Sequence, residues 1–188
     1  MSLQSRADTA SGRWMALTAA LLGWLFDGFE MGLFPQVARD SLIDLLGTQD
    51  DKDIGKWIGV AMASFLVGAA TGGVLFGWLG DRLGRVRAMT LSVLTYAVFT
   101  GLCGIANQPW QIAVLRFLSA LGMGGEWSLG VALVMEIWPN RSRALLAGLI
   151  GAAANVGYLL VGFLTLGLAT ILESLPHWLS SWGLSEYW

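Results

Sequence analysis

Five stretches of this chain are long and apolar enough to cross a lipid bilayer. A transmembrane helix needs about 20 mostly apolar residues. Three stretches, at residues 57–78, 88–106 and 144–172, contain no charged residue, and two more, at 14–36 and 110–138, qualify although they carry charges. A water-soluble domain made of five such helices would consist almost entirely of interior. The sequence therefore predicts an all-α polytopic membrane protein whose surroundings are the lipid bilayer.

Basic residues in the connections indicate an orientation. If the N-terminus is cytoplasmic, the inner segments carry seven arginines, whereas the outer segments carry three basic residues diluted by five aspartates. Cytoplasmic connections are enriched in Lys and Arg. The sequence therefore predicts a cytoplasmic tail at residues 1–13, a transmembrane bundle at 14–172 and an extracytoplasmic loop or interfacial segment at 173–188. The expected location is the inner or plasma membrane, and a long acidic loop is expected between the first two spans.

Charge and cysteine content argue against several other classes of protein. The formal net charge is −2 and no basic run is present, so nucleic acid is not expected as a partner. Cys103 is the single cysteine, which leaves no basis for a disulfide framework or a zinc site. His177 is the single histidine and is expected in an exposed loop. Because no nucleophile–base–acid set, P-loop or metal-ligand spacing is present, we expect neither an enzyme nor a cofactor.

Glycines recur at a spacing of four residues in the second stretch. Gly68 and Gly72 form one such pair, and Gly73 and Gly77 form another. Small residues at this spacing let helix backbones approach each other closely. The fourth and fifth stretches contain similar glycine patterns. The five helices are therefore predicted to form one tightly packed bundle.

Two acidic residues interrupt the first transmembrane stretch. Asp27 and Glu30 are three residues apart and therefore share one face of a helix. A charge at the centre of a membrane helix costs roughly 2.5–3.5 kcal/mol on insertion scales, so such residues are expected to serve a function. Two neighbouring carboxylates in a low dielectric favour protonation, and at least one of them could bind and release a proton. The alternative is a buried ion pair that holds the helices together.

The fourth and fifth stretches supply further candidates. Arg116 stays charged and is predicted either to neutralise the two acids or to receive an anionic substrate. Glu126 lies about 15 Å further along the helix and is predicted as a second proton or substrate site, not a contact of Arg116. Asn155 and Tyr158 share a face and are the predicted neutral hydrogen-bonding lining. Glu136, at the cytoplasmic end, is expected to be either a gate or an interfacial charge.

The connection between the second and third stretches reads GWLGDRLGRVRA, residues 77–88. Its glycines allow a sharp turn and close helix contact, and Asp81 can pair with arginines or cap the next helix. Such a charge cluster can act as a cytoplasmic latch that opens and closes as two helix bundles move. The segment is similar to the G-x-L-x-D-R-x-G-R signature of the major facilitator superfamily. The matching residues are Gly77, Leu79, Asp81, Arg82, Gly84 and Arg85, whereas Val86 stands where a basic residue is common.

Two further segments resemble branches of that superfamily. EIWPNRSRA looks like the sugar-porter motif E-x-x-P-x-x-x-R through Glu136, Pro139 and Arg143, charges that join the latch in that branch. FDGFE together with RFLSALGMGGEW is similar to the sialate and aromatic-acid proton symporters, which carry acids in the first helix and an arginine in the fourth. The corresponding residues here are Asp27, Glu30 and Arg116. The resemblance implies proton-coupled symport of a small organic anion, such as a carboxylate or an acidic sugar, with sugar:proton symport as the alternative.

The resemblance also predicts how much of a twelve-span transporter this chain contains. A full member of this superfamily has twelve spans in two six-helix halves, with the transport site between the halves. The sequence therefore predicts five transmembrane helices of an N-terminal six-helix bundle, with the sixth helix and the C-terminal half absent. A missing second transporter half would then be a partner, beside the small-molecule substrate and a proton. The alternative from another class is a non-transporting accessory membrane protein or an inactive truncated remnant.

Overall fold

The computed structural model describes residues 10–138 and 142–174, and within these ranges the chain is helical and has no strand. In these two ranges, five helices are long and apolar enough to cross a membrane, which confirms the predicted all-α class. The helices are α1 (Ala10–Leu46), α2 (Asp51–Leu83), α3 (Arg85–Cys103), α4 (Pro109–Ile137) and α5 (Arg143–Ser174).

Some predicted features lie outside the described residues. These are Pro139, His177, most of the predicted cytoplasmic tail and nearly all of the predicted terminal segment 173–188. Each predicted span falls largely within one helix, but α1, α2 and α5 extend beyond their spans at both ends, whereas α3 and α4 begin before their spans and end before them. Where each helix enters and leaves the membrane therefore stays a prediction.

The connection between α1 and α2 is shorter than the sequence indicated. The expected long acidic loop is wrong, because only residues 47–50 separate the two helices. Leu42 near the end of α1 and Ile54 near the start of α2 are buried together with Ile112 of α4. Apolar packing of these side chains extends both helices through a segment whose aspartates suggest a loop. Asp50 begins α2 as its N-cap, since its side chain accepts a hydrogen bond from the Lys52 amide at 3.0 Å.

A single residue, Gly84, connects α2 to α3. Its φ of 89° lies in the left-handed region, where a side chain would be strained and glycine is not. The chain can therefore leave α2 and begin α3 at once, which keeps the predicted latch segment compact. α3 then ends at Cys103, before the predicted end of its span at residue 106.

α4 is the central helix of the bundle. It packs against α2, α3 and α1, whereas α1 packs mainly against α5. Gly68 and Gly72 of α2 lie against the backbone of Phe117 and Leu121 in α4, as small residues at this spacing allow. A side chain at Gly73 would meet its neighbours only at ordinary contact distance. Of the two glycine pairs in α2, only the first therefore brings backbones together.

Candidate functional site

An arginine–glutamate pair lies at the junction of α1 and α4. Arg116 Nη1 donates to Glu30 Oε1, and the two side chains are 4% and 14% exposed. The structure therefore places Arg116 as the counter-ion of Glu30, one of its two predicted roles. Glu30 Oε2 and Arg116 Nε are buried and have no hydrogen-bond partner among the described residues. Both members of the pair thus keep one atom with which a ligand could bond.

Two aromatic rings enclose the guanidinium of Arg116. The Phe34 ring centroid, from α1, is 4.0 Å from Arg116 Cζ, and the Phe65 centroid, from α2, is 4.5 Å away. A cation over an aromatic face is stabilised by the ring quadrupole, by about 2 kcal/mol or more where water is excluded. The rings therefore help to hold a charge in the bundle, and they restrict the plane in which Arg116 can present its donors.

Asp27 is buried one helical turn from Glu30 but has no such partner. It is 1% exposed, and neither of its oxygens has a hydrogen-bond partner in the described part of the chain. The carboxylates of Glu126 and Glu30 lie close enough to act on it electrostatically. A buried, unpaired carboxylate is costly to keep ionised. The first helix therefore carries two acids in different settings, one with a counter-ion and one without.

Glu126 also reaches this region, from α4. It is 7% exposed, and its carboxylate lies against Gly23 of α1. Glu126 does not pair with Arg116, as the helical distance between them predicts. The structure thus brings together four of the six residues that the sequence suggested for substrate or proton coupling. These four are Asp27, Glu30, Arg116 and Glu126.

The two α5 candidates lie elsewhere. Asn155 and Tyr158 are both exposed, and the Tyr158 ring lies beside Gly32 of α1. Glu30 is on the same helix as Gly32, but neither α5 side chain hydrogen-bonds to the Arg116–Glu30 pair. Their role as a polar lining therefore stays a prediction.

Several residues of this region were not identified from the sequence. Phe34 and Phe65 give no signal in a chain where apolar residues are everywhere, because only packing shows that they contact Arg116. Tyr96 of α3 lies within electrostatic reach of the three acids and of Arg116. One available signal was that Tyr96 is a polar aromatic residue inside a stretch without charges.

The predicted cytoplasmic latch forms in part. Arg85 Nη2 lies 2.8 Å from Asp81 Oδ1, and Arg85 Nε lies 3.0 Å from Glu136 Oε1. Arg85 therefore links the end of α2, the start of α3 and the end of α4. Asp81 pairs with an arginine and does not cap α3, the second role considered for it.

The other residues predicted for the latch make different contacts. Arg82 lies over the Trp78 ring, with Cζ 4.3 Å from the centroid. Arg143 Nε donates to the Trp138 carbonyl at 3.1 Å, without an ion pair to Glu136. Gly84 connects α2 to α3, and a Cβ atom built on Gly77 would lie 3.9 Å from Ser128 Oγ, an ordinary contact. The charged part of the latch is therefore centred on Arg85.

We expect the latch to contribute little to folding stability. Asp81 and Glu136 are 66% and 53% exposed at the side chain, and exposed ion pairs contribute about 0–1 kcal/mol. A double-mutant cycle with Arg85→Gln and Glu136→Gln, measured by unfolding in mixed detergent micelles, should give a coupling energy below about 1 kcal/mol. A coupling several times larger would show that the pair is a structural element of the bundle.

Known proteins similar to this chain are transporters. The family model of the Major Facilitator Superfamily matches residues 17–185. A protein of Haemophilus influenzae named as a metabolite transport protein is 38% identical over 153 residues, 81% of this chain and 36% of that protein. A gallate transporter of Pseudomonas putida is 30% identical over 89% of this chain and 35% of its own length. The sialic acid transporter NanX of Escherichia coli is 30% identical over 76% of this chain and 34% of its own.

No solved structure gives a significant match. The chain spans about a third of the length of the curated relatives that it matches. The family match covers most of the chain, and the part of the chain that the structure describes contains five helices long and apolar enough to cross a bilayer. This chain is therefore an integral membrane protein that belongs to the major facilitator superfamily.

Proposed function

We propose that this chain forms the anion- and proton-binding part of a secondary active transporter for small organic acids. One observation carries the proposal, namely the buried Arg116–Glu30 pair beside the unpaired acid Asp27. A guanidinium held among aromatic rings is suited to bind a carboxylate. Relatives named as gallate and sialic acid transporters favour acids over neutral sugars as the substrate class.

Competition between the substrate carboxylate and Glu30 for Arg116 can couple anion binding to proton binding. A substrate carboxylate that bonds to Arg116 displaces Glu30, and the displaced Glu30 then lies in a low dielectric without a counter-ion. A carboxylate in that position favours the protonated form, so anion binding is accompanied by proton binding. Release of the anion returns Arg116 to Glu30 and expels the proton. Glu30 is therefore the proposed coupling acid.

The test uses the purified 188-residue chain in lipid nanodiscs. Trp24 lies three residues before Asp27, Trp127 follows Glu126, and the two indoles pack edge to face with ring centroids 4.8 Å apart, so a change in the tryptophan fluorescence of the chain should report binding. We expect gallate or sialic acid to change the fluorescence and glucose to have no effect. Arg116→Lys keeps the charge but loses the planar fork and should weaken acid binding about tenfold.

Proton coupling is measured on the same sample in weakly buffered solution with a pH-indicating dye. The wild-type chain should take up a proton when the acid binds. Glu30→Gln should bind the acid at least as well, because Arg116 is no longer occupied, but without proton uptake. Unchanged proton uptake in Glu30→Gln would refute the coupling role, and equal binding of glucose would favour the sugar alternative.

The proposed orientation places the N-terminus in the cytoplasm and the chain in the inner or plasma membrane. Its support is the distribution of arginines among the connections. In a Cys103→Ser background, we expect Asp53→Cys to react with an impermeant thiol reagent in intact cells. Arg87→Cys should react only after permeabilisation, because both positions are exposed and the proposed orientation puts them on opposite sides of the membrane. The reverse labelling pattern would invert the assignment.

A non-transporting membrane protein is the second candidate. The observation that favours it is that the buried Arg116–Glu30 pair joins α1 to α4, as a purely structural ion pair would. Reconstitution into liposomes with an imposed pH gradient distinguishes the two candidates. Accumulation of labelled gallate or sialic acid supports transport by this chain, whereas binding without accumulation supports a part that requires a second transporter half.

A further inference from the structure

Gly23 of α1 lies where the side chain of a neighbouring helix needs space. A Cβ atom built on Gly23 would overlap the Glu126 carboxylate of α4. The obstacle is the far end of a flexible side chain, whereas a Cβ at Gly28 would strike the backbone of Ala154. An alanine at position 23 would therefore move the Glu126 side chain and leave the helices in place. No sequence pattern singles out this glycine.

An aromatic contact fixes the register of α1 and α4 at this point. Trp24 follows Gly23, Trp127 follows Glu126, and the two indoles pack edge to face at 4.8 Å between centroids. Edge-to-face aromatic pairs stabilise a contact by about 0.5–1.5 kcal/mol beyond area burial. The position of the Glu126 carboxylate beside α1 is therefore a defined feature of the interface.

We propose that Gly23 is a positioning residue: it lets the Glu126 carboxylate lie near Asp27, so that the pair binds one proton, carried by Asp27. Asp27 binds the proton more strongly than Glu126 because it is 1% exposed and neither of its oxygens has a hydrogen-bond partner within the described ranges. Glu126 has some exposure and lies close enough to add a negative potential at Asp27. A nearby negative charge strengthens proton binding by a carboxylate.

The other titratable groups near Asp27 do not replace the negative potential that Glu126 adds there. Glu30 of α1 also acts on Asp27, but Arg116 of α4 lies beside it and offsets its charge. Tyr96 of α3 is within electrostatic reach. Between residues 57 and 78, α2 has no titratable residue, and the described part of α5 within the predicted span has only Tyr158, which lies beside Gly32.

The inference deepens the proposed function, on which it rests, by assigning a second proton site that needs no arginine. This proton differs from the one that Glu30 takes up when the anion binds. The site is tested without substrate, so its failure is separate from failure of the proposed organic-acid binding.

The test is a pH titration of the chain in lipid nanodiscs, followed by the infrared carbonyl stretch of protonated carboxylic acids. The Asp27→Asn variant identifies the band of Asp27 by its loss. In Gly23→Ala, the pH at which this band disappears should fall by about one unit, because Glu126 is moved away from Asp27. Glu126→Gln should lower the midpoint similarly, since it removes the charge without adding a side chain to α1.

Gly130→Ala is the matched control. It lies in the same interface between α1 and α4, but its added Cβ would be 3.6 Å from the Ala20 Cβ, an ordinary contact. Its midpoint should equal that of the wild-type chain. An unchanged midpoint in Gly23→Ala would overturn the positioning role, and an unchanged midpoint in Glu126→Gln would overturn the acid pair. If Gly23→Ala does not fold, Glu126→Gln still decides whether the pair exists.

Discussion

Replacement of Arg116 by methionine should destabilise the bundle by about 3 kcal/mol and abolish organic-acid binding. Arg116 is 4% exposed at the side chain and is the partner of Glu30. Its removal leaves a buried carboxylate without compensation, and it also removes the cation between Phe34 and Phe65. Breaking a buried ion pair from one side is among the costliest single changes in a folded protein. Unfolding in mixed detergent micelles measures the loss.

The double variant Arg116→Met with Glu30→Gln separates stability from function. Removing both charges eliminates the unpaired carboxylate, so stability should return to within about 1 kcal/mol of the wild-type chain. Organic-acid binding should stay absent, because no guanidinium is left to receive a carboxylate. If the double variant is as unstable as Arg116→Met, packing of the arginine between the rings matters more than the ion pair. If it still binds acids, Arg116 is not the anion receptor.

Two adjacent glycines in α2 should respond in opposite ways to alanine. A Cβ atom at Gly72 would overlap the backbone of Leu121 in α4, whereas one at Gly73 would lie 3.6 Å from the Gly124 carbonyl oxygen, an ordinary contact. Gly72→Ala should therefore force α2 away from α4 and destabilise the chain by about 3 kcal/mol, the upper end of the usual cost of overpacking. Gly73→Ala should be neutral, or stabilising by up to about 1 kcal/mol through helix propensity.

The comparison is well controlled because the two positions share one helix and one substitution. The folded fraction in detergent, followed by gel filtration and by thermal unfolding, is the measurement. Equal stability of Gly72→Ala and Gly73→Ala would contradict the close backbone contact of α2 with α4. The same contrast can be repeated in α5, where Gly157 meets the backbone of α1 and Gly151 has open space.

The class of the fold and the family could both be predicted from the order of the residues alone. Apolar stretches of bilayer length are a property of consecutive residues, so five helices could be predicted without knowing how they pack. The latch motif, with Asp81 and Arg85 four residues apart, is likewise local, and the structure pairs these two residues. The presence of Asp27, Glu30 and Arg116 within apolar stretches could also be read directly from their positions.

The link between α1 and α2 shows where prediction from the local sequence failed. Aspartates between residues 40 and 53 suggest a loop, yet all but four of the intervening residues are helical. The segment is helical because Leu42 and Ile54 are buried against Ile112, and these side chains come from three different helices. A contact between distant segments outweighs local helix propensity, which is worth only a fraction of a kcal/mol per residue.

Which charged residues pair with each other depends on how the helices pack, and this could not be predicted from the sequence. Arg116 could neutralise either acid, and the structure gives it Glu30 and leaves Asp27 unpaired. Glu126 lies ten residues beyond Arg116 on the same helix, but its position against Gly23 depends on how α1 and α4 are rotated and aligned. Hydropathy and spacing describe one helix at a time, whereas rotation and register are set by side-chain packing between helices. For that reason the sequence supplied the candidate residues, and packing determined their partners.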